Sequence, residues 1–278
     1  PDSIANLTGI EAFTALTNLN CSNNQLTSLD VSQNTSLTDL RCWGNQLTSL
    51  DVSGNTALTN LNCYYNQLTS LDLSNNTALI GVSCYNNQLL SLDVSNNTAL
   101  EVLSCGNNQL TSLDVSNNTA LIGVSCYNNQ LTSLDVSNND TALIGLHCWG
   151  NQLTNLDVSN QTSLSQLWCQ SNQLLNLDLT QNTALTSLEC NDNQLTSLNV
   201  RNGNNTNFTL FNATNNTNLF CISVDDPVWA DTNWTVVNGN IDSTSSFAIT
   251  CSAEAGYTYV PDDNFEQALI DLGYDNFL

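Results

Sequence analysis

The chain contains no lysine and no methionine, and its 278 residues include one histidine, two arginines and three prolines. The arginines face 25 aspartate and glutamate residues, so the formal net charge is −23. A surface of this charge repels phosphate groups, which disfavours nucleic acid and anionic membrane as partners. No apolar run approaches the length of a membrane span, so we expect no membrane insertion. The absence of methionine at residue 1 indicates a processed or excised piece.

The same shortages argue against catalysis. A nucleophile needs an adjacent base, and His147 is the one histidine in a chain that lacks lysine. The acidic residues recur at equivalent positions, an arrangement that does not separate the pKa of an acid from that of a base. We therefore expect a protein that is not an enzyme and that has no cofactor and no metal site.

A repeat of 21 residues organises most of the chain. A period this short corresponds to one solenoid coil per repeat. Within the coil 16–36, Leu19 and Cys21 alternate with polar residues, the period of a half-buried strand, so we expect the coils to stack into a parallel ladder. Leu29 and Val31 repeat this alternation and predict a second extended segment on the opposite side. The repeat is marked by nine cysteines, with one interval of 22 residues: Cys21, Cys42, Cys63, Cys84, Cys105, Cys126, Cys148, Cys169 and Cys190.

The pattern resembles the leucine-rich repeat, L-x-x-L-x-(L/C)-x-x-N-x-L, over about residues 4–200. Cysteine at the sixth position, followed by N-Q-L-T-S-L-D-V-S-x-N-T, is most similar to the cysteine-ladder type of bacterial internalins and to related surface proteins of marine Bacteroidetes. The resemblance implies a leucine-rich repeat solenoid with right-handed coils and little helix, and a secreted or surface-displayed module for recognition or adhesion. We expect residues 1–200 to form the array, 201–252 a β-rich C-terminal cap, and 253–278 a helical segment similar to an N-terminal cap.

Three columns of equivalent residues follow from the stacking. The nine cysteines are expected to be buried, reduced thiols, because parallel side chains one strand spacing apart do not favour a disulfide. An asparagine after each strand is expected to satisfy backbone groups of the turn: Asn24, Asn45, Asn66, Asn87, Asn108, Asn129, Asn151, Asn172 and Asn193. A third column is either a solvated acidic stripe or a place of cation association: Asp30, Asp51, Asp72, Asp93, Asp114, Asp135, Asp157 and Asp178.

The end of the chain holds two further features. Cys221 and Cys251 are left over outside the cysteine column, and in a secreted protein they are expected to pair. Pro261 and Gly273 bound a predicted short helix, similar to the segment that precedes the first coil in arrays of this kind. Three explanations stay open: an unusual order of segments, a second array beyond the first, or a head-to-tail contact in which residues 257–278 cap another molecule.

The residues that flank each cysteine are predicted to point away from the core. Five of the nine positions just after the cysteines are aromatic. An aligned row of exposed rings is either a stack that stabilises the ladder or a face that binds a ligand, and we expect a protein or glycan ligand. With the flanking residues added, the predicted ligand-binding face is Arg41, Trp43, Tyr64, Tyr65, Tyr85, Tyr127, His147, Trp149 and Trp168.

Two other functions remain open at this point. The near-identical stretches LIGVSCYNNQL at residues 79–89 and 121–131 favour a structural spacer or a self-assembling surface module. Ice binding is a remote third alternative, based on rows of threonine such as Thr27, Thr48, Thr69, Thr111 and Thr132.

Overall fold

The computed structural model describes residues 3–139 and 143–251, so the predicted helical segment 253–278 lies outside the described residues. Within them, the chain forms fourteen short strands, one α-helix and two 3-10 helices, Ile10–Ala12 and Asn205–Asn207. Ten parallel strands form the main sheet: β1 (Asn18–Asn20), β2 (Asp39–Arg41), β3 (Asn60–Asn62), β4 (Gly81–Ser83), β5 (Val102–Ser104), β6 (Gly123–Ser125), β7 (Gly145–His147), β8 (Gln166–Trp168), β10 (Ser187–Glu189) and β12 (Leu210–Asn212).

Each main-sheet strand pairs with the strand of the next coil in the same register. Leu40 of β2 lies opposite Leu19 of β1 and Leu61 of β3. Because side chains alternate along a strand, the middle residue and the cysteine after the strand point into the core, and the residues between them point outward. The predicted parallel ladder is confirmed.

Each coil from the second to the ninth buries the same six apolar side chains, whereas Leu16, Leu19 and Leu29 of the first coil are only partly buried. A fully buried aliphatic side chain contributes about 1.5–3 kcal/mol, but one coil has no second layer, so adjacent coils must cover each other. The nine column cysteines are free and buried, as predicted. Burial raises the pKa of these thiols, to about 11 for Cys21 and about 12 for Cys84. In the second coil the six core residues are Leu37, Leu40, Cys42, Leu47, Leu50 and Val52.

The predicted asparagine column links the turns of neighbouring coils. The Nδ2 group of Asn45 donates to the carbonyl oxygens of Cys21 and Cys42, at 3.1 and 3.0 Å. Its Oδ1 accepts a hydrogen bond from the Leu26 backbone N–H at 3.0 Å. One buried amide therefore satisfies backbone groups in its own coil and in the preceding coil.

A second buried amide column was not anticipated from the sequence. The Nδ2 group of Asn55 donates to the carbonyl oxygens of Val31 and Asn34, at 3.0 and 2.9 Å, both in the preceding coil. Its sequence signal is the asparagine or glutamine before threonine in N-T-A-L and related stretches. The column consists of Asn34, Asn55, Asn76, Asn97, Asn118, Asn139, Gln161 and Asn182.

A second sheet lies on the opposite side of the coils. It pairs four parallel strands: β9 (Asn176–Asp178), β11 (Ser197–Asn199), β13 (Cys221–Ser223) and β14 (Ser246–Ala248). Among the described residues, regular strand pairing on this side begins only at β9. The alternation of apolar side chains that predicted this second extended segment is already present in the second coil, where Leu50 and Val52 are both buried.

The main sheet continues past residue 200, where the sequence predicted that the array ends. β12 pairs with β10, and Phe211 lies opposite Leu188. Ala213 takes the buried position of the cysteine, and the side chain of Asn216 continues the asparagine column. Phenylalanine and alanine at the leucine and cysteine positions concealed this coil from the repeat pattern.

Trp234 closes the core at the C-terminal end. Its ring stacks on Phe211 with centroids 3.9 Å apart and meets Phe208 edge-on at 5.4 Å. The Asp242 carboxylate accepts hydrogen bonds from the backbone N–H groups of Asn215 and Asn216, both at 3.0 Å. The groups that would bond to a further coil are thus satisfied, and the open edge is covered.

The C-terminal cap holds the strands β12, β13 and β14, in agreement with the predicted β-rich cap, together with the helix α1 (Pro227–Asn233). Asp226 caps it by accepting a hydrogen bond from the Val228 N–H at 3.0 Å, and proline occupies the first helical position. Cys221 and Cys251 form the predicted disulfide, with Cα atoms 5.8 Å apart.

Candidate functional site

The outward-facing residues of the main sheet form one continuous surface, which we call the strand face. Each coil contributes five outward positions, which in the fourth coil are Ile80, Gly81, Ser83, Tyr85 and Asn86. Because all coils share one register, equivalent residues form five columns, numbered one to five in this order.

The fourth column is the aromatic row. Trp43, Tyr64 and Tyr85 are half-buried and lie outside the core. Their rings are nearly parallel, with interplanar angles of 10° and 9° and centroid distances of 5.0 and 4.4 Å. These distances match the strand spacing of about 4.8 Å, so the register of the sheet itself stacks the rings.

A glycine interrupts the row in the fifth coil. Gly106 is buried because the ring of Tyr127 leans over it, and a Cβ atom at residue 106 would lie 2.6 Å from that ring. Tyr127 in turn stacks on Trp149, with centroids 4.6 Å apart and an interplanar angle of 6°. The row therefore consists of two stacks, and the absent side chain of Gly106 sets the position of the second stack.

Tyr65 lies beside the first stack, in the fifth column. Its ring meets the edges of Tyr64 and Tyr85, with centroids 5.7 and 5.6 Å away, and 56% of the residue is exposed. Burial is the main cause that raises the pKa of Tyr85 to about 12. The Tyr85 hydroxyl is therefore protonated at neutral pH and can donate a hydrogen bond.

Two of the predicted residues, Arg41 and His147, lie in the third column and are the ones that can carry a positive charge. The Arg41 guanidinium donates to both carboxylate oxygens of Asp39, at 3.1 and 2.8 Å. Burial lowers the pKa of His147, whose Nδ1 atom lies 3.2 Å from the Ser125 hydroxyl. At neutral pH the arginine charge is thus compensated and the imidazole is uncharged.

His147 also belongs to an aromatic pair. Its ring stacks on the indole of Trp168, with centroids 4.2 Å apart. The Trp168 Nε1–H donates to the Ser187 hydroxyl at 3.0 Å, which fixes the indole across two coils. The ring contacts therefore join the predicted aromatic residues into three clusters, and Arg41 pairs with Asp39 instead. The clusters are Trp43, Tyr64, Tyr65 and Tyr85; Tyr127 and Trp149; and His147 and Trp168.

The stacking determines which parts of the rings a ligand can reach. Inside each stack, the faces of neighbouring rings cover each other, as for Tyr64 between Trp43 and Tyr85. The stacking leaves the ring edges uncovered. Sugar binding by C–H contacts needs an open ring face, so this geometry favours edge contacts and hydrogen bonds instead.

Sequence reasoning missed the first and second columns of the strand face. The first column carries threonine in coils one to three but Ile80, Ile122 and Ile144 in coils four, six and seven, and these isoleucines are exposed. The second column becomes glycine at Gly81, Gly123 and Gly145 of the same coils. The sequence signal for both columns was the change of residue type from coil to coil, which appears only when the coils are compared position by position.

The acidic column lies away from the strand face. Asp114 Oδ1 accepts a hydrogen bond from the Ser116 backbone N–H at 2.9 Å, and equivalent bonds recur along the column. Bonds from the Ser116 side chain and backbone lower the pKa of the Asp114 carboxyl. These local hydrogen bonds outweigh the repulsion between neighbouring carboxylates. Within the described residues, no group of three or more histidine, cysteine or acidic side chains is arranged to hold a metal ion.

No protein-family model matches the sequence, and no curated protein sequence matches it. Among solved structures, the functional domain of InlJ from Listeria monocytogenes, which includes a cysteine ladder, is 36% identical with a TM-score of 0.65. The alignment covers 80% of this chain and 57% of that domain. The chain matches a bacterial leucine-rich repeat protein of the cysteine-ladder type. This solenoid thus spans little more than half of the InlJ domain.

Two further structures support the leucine-rich repeat fold alone. A leucine-rich repeat protein from Leptospira interrogans is 22% identical with a TM-score of 0.67, over 86% of this chain and 68% of that one. The internalin InlF from Listeria monocytogenes is 24% identical with a TM-score of 0.55, over 90% and 85%. The likeness to internalins supports a protein-interaction or adhesion module in general. No helix among the described residues is long and apolar enough to cross a membrane.

Proposed function

We propose that this leucine-rich repeat solenoid is a non-enzymatic module for recognition or adhesion that binds a protein partner through the strand face. The observation that carries the proposal is the aromatic row, a set of aligned rings outside the core. Stacked rings such as Tyr64 and Tyr85 have already lost their conformational freedom, so ordering them on binding costs little.

The geometry of the rings favours a protein over a glycan. A ring whose two faces are covered by its neighbours offers its edge instead, as Tyr64 does between Trp43 and Tyr85. A protein surface can meet such edges with carbonyl oxygens and apolar side chains. A sugar ring would find an open aromatic face at the ends of the stacks and at Tyr65, but not inside the stacks.

The charge of the chain restricts the partner further. With a net charge of −23 and the Arg41 guanidinium engaged by Asp39, the solenoid attracts basic proteins and repels acidic ones. We also propose that the protein acts outside the cell or at its surface. The disulfide between Cys221 and Cys251 supports this location, because such bonds persist in oxidising compartments.

A comparison of two ligand pools tests the proposal. The wild-type chain and a Trp149→Ala variant are applied to a glycan array and to a deglycosylated cell-surface protein extract. We expect capture from the extract that weakens in Trp149→Ala, because Tyr127 then loses its stacking partner. Binding to glycans alone, lost in the same variant, would contradict a protein ligand and support a sugar.

Self-assembly into a structural spacer is the second candidate function, and the near-identical coils at 79–89 and 121–131 favour it. The proposed head-to-tail contact would use residues 257–278, which lie outside the described residues. A molecular mass that rises with concentration, without any captured ligand, would support this candidate. For ice binding, the threonine column is interrupted by exposed Leu90 and Leu175, and an absence of thermal hysteresis would dismiss it.

A further inference from the structure

We infer that the centre of the strand face, in coils four to seven, takes an extended, basic segment of the partner between the aromatic row and a parallel edge of isoleucines. This inference rests on the proposed protein-binding function, and it specifies which part of the strand face binds and which kind of partner segment is bound. We call this region the central trough, formed by columns one to four of residues 80–149.

One side of the trough is the first column. Ile80, Glu101, Ile122 and Ile144 follow each other in adjacent coils, linked by backbone hydrogen bonds of 2.8–2.9 Å. The three isoleucines are 38–49% exposed, although threonine occupies this position in the first three coils. Threonine would serve the fold equally well, so an exposed aliphatic edge confined to four adjacent coils is unexplained by folding.

The floor of the trough is glycine in coils four, six and seven and the exposed Val102 in coil five. Gly81, Val102, Gly123 and Gly145 lie in one register across β4 to β7. A Cβ atom built on Gly123 or Gly145 meets no atom within 4 Å, so the space above the floor is open. The third column adds serine hydroxyls, at Ser83, Ser104 and Ser125, that can bond to a peptide backbone.

The other side of the trough is the aromatic row, with Tyr85, Tyr127 and Trp149. Four strands span three strand spacings, or about 14 Å, which matches about four residues of extended chain at roughly 3.4 Å each. A segment of that length can place aliphatic side chains against the isoleucines and its backbone near the serines.

Charge decides between a foreign segment and a second copy of this chain. Glu101 is the one charged residue of the central trough, it is exposed, and it has no ion-pair partner among the described residues. A second copy would bring another net charge of −23 against it. A lysine or arginine between apolar residues would instead pair with Glu101 while its neighbours cover the isoleucines.

The test uses a phage-displayed library of linear 12-residue peptides, selected on the immobilised wild-type chain, with Kd measured on synthetic peptides by fluorescence anisotropy. Two variants alter the trough with residues that the fold already carries at equivalent positions. Ile122→Thr/Ile144→Thr removes the aliphatic edge, and Gly123→Asn/Gly145→Asn fills the floor. The matched control is Leu90→Thr/Leu175→Thr, which removes two exposed apolar residues outside the strand face.

We expect selected peptides that combine lysine or arginine with aliphatic or aromatic residues. Their Kd should rise at least about tenfold in both trough variants and stay unchanged in the control. Glu101→Gln should raise Kd about two- to fivefold and weaken its dependence on salt, as for an exposed ion pair. Equal Kd for the wild type and both trough variants, or no enriched peptide at all, would overturn the inference.

A row variant, Tyr127→Ser/Trp149→Ser, separates this inference from the proposed function. Peptide binding that is lost in the row variant but kept in both trough variants would refute the trough and leave the strand face as the binding site. Binding that is kept in the row variant and in both trough variants would refute the trough and the proposed function together.

Discussion

Replacing one buried asparagine of the turn column tests how the coils are held together. Asn108 lies in the fifth coil, with its side chain buried between the turns of coils four and five. Its Nδ2 group donates to the Cys84 and Cys105 carbonyl oxygens, at 3.2 and 3.0 Å. Its Oδ1 accepts from the Leu89 N–H at 2.9 Å. Asn108→Ala removes these three bonds, and a fourth from Nδ2 to the Gly106 carbonyl oxygen at 3.2 Å, without altering the apolar core.

The expected cost follows from which backbone groups are left without a partner. Each cysteine carbonyl keeps one bond, because Asn87 still donates to Cys84 and Asn129 to Cys105. The Leu89 N–H keeps none among the described residues, and a buried orphan donor costs about 1–3 kcal/mol. The lost amide has two N–H groups to share among its three carbonyl partners, and each N–H adds about 0.5–1.5 kcal/mol, so we expect the free energy of unfolding to fall by about 2–6 kcal/mol.

Urea unfolding followed by far-UV circular dichroism measures this difference. The control is Asn117→Ala in the same coil, since the exposed Asn117 side chain makes one hydrogen bond of 3.3 Å to the Ser95 carbonyl. We expect the control to stay within about 0.5 kcal/mol of the wild type. Equal losses in the two variants, or a loss below about 1 kcal/mol in Asn108→Ala, would refute the role given to the column.

Three further predictions concern the row, the acidic column and the thiols. Gly106→Ala should displace the ring of Tyr127 and change the near-UV circular dichroism, whereas Gly123→Ala, with open space at its Cβ, should leave that spectrum unchanged. Asp114→Asn should retain or raise Tm, because an amide oxygen can still accept the hydrogen bond from Ser116 and one negative charge is removed. Asp114→Ala, which removes the acceptor, should lower Tm. A lower Tm for Asp114→Asn than for Asp114→Ala would contradict the hydrogen-bonded turn. Alkylation of the native protein at pH 8 should label Cys21 first, because Cys21 is the least completely buried thiol of the column, and the other column thiols only on unfolding. Rapid labelling of all nine thiols alike would show that the column is open to solvent.

The fold was predictable from the sequence wherever the coils repeat. A period of 21 residues, with one interval of 22, places equivalent side chains in one phase, so the burial of Leu40, Cys42 and Asn45 follows from pattern and polarity alone. The coil around Phe211 and Ala213 escaped prediction, because the larger ring compensates in the core for the smaller alanine. A search for leucine and cysteine at the repeat positions therefore misses this coil.

The site was only partly predictable. Alternation along each strand correctly places the rings of Trp43 and Tyr64 outside the core, but it does not give the direction in which a ring leans. The tilt of Tyr127 depends on the missing side chain of Gly106, a contact between coils that no single repeat contains. Likewise, Arg41 is engaged by the side chain of Asp39 in the same strand, and the pattern of residues around the cysteines does not predict this ion pair.

The most direct test of the account uses two variants with two surface substitutions each. It compares how much protein each variant captures from a deglycosylated cell-surface extract. Tyr127→Ser/Trp149→Ser alters the strand face, and Leu90→Thr/Leu175→Thr alters another side of the same solenoid. If the strand face binds the partner, the first variant loses capture and the second retains the wild-type amount. Capture that survives in the first variant, or that is lost equally in both, would contradict a ligand-binding role for the aromatic row.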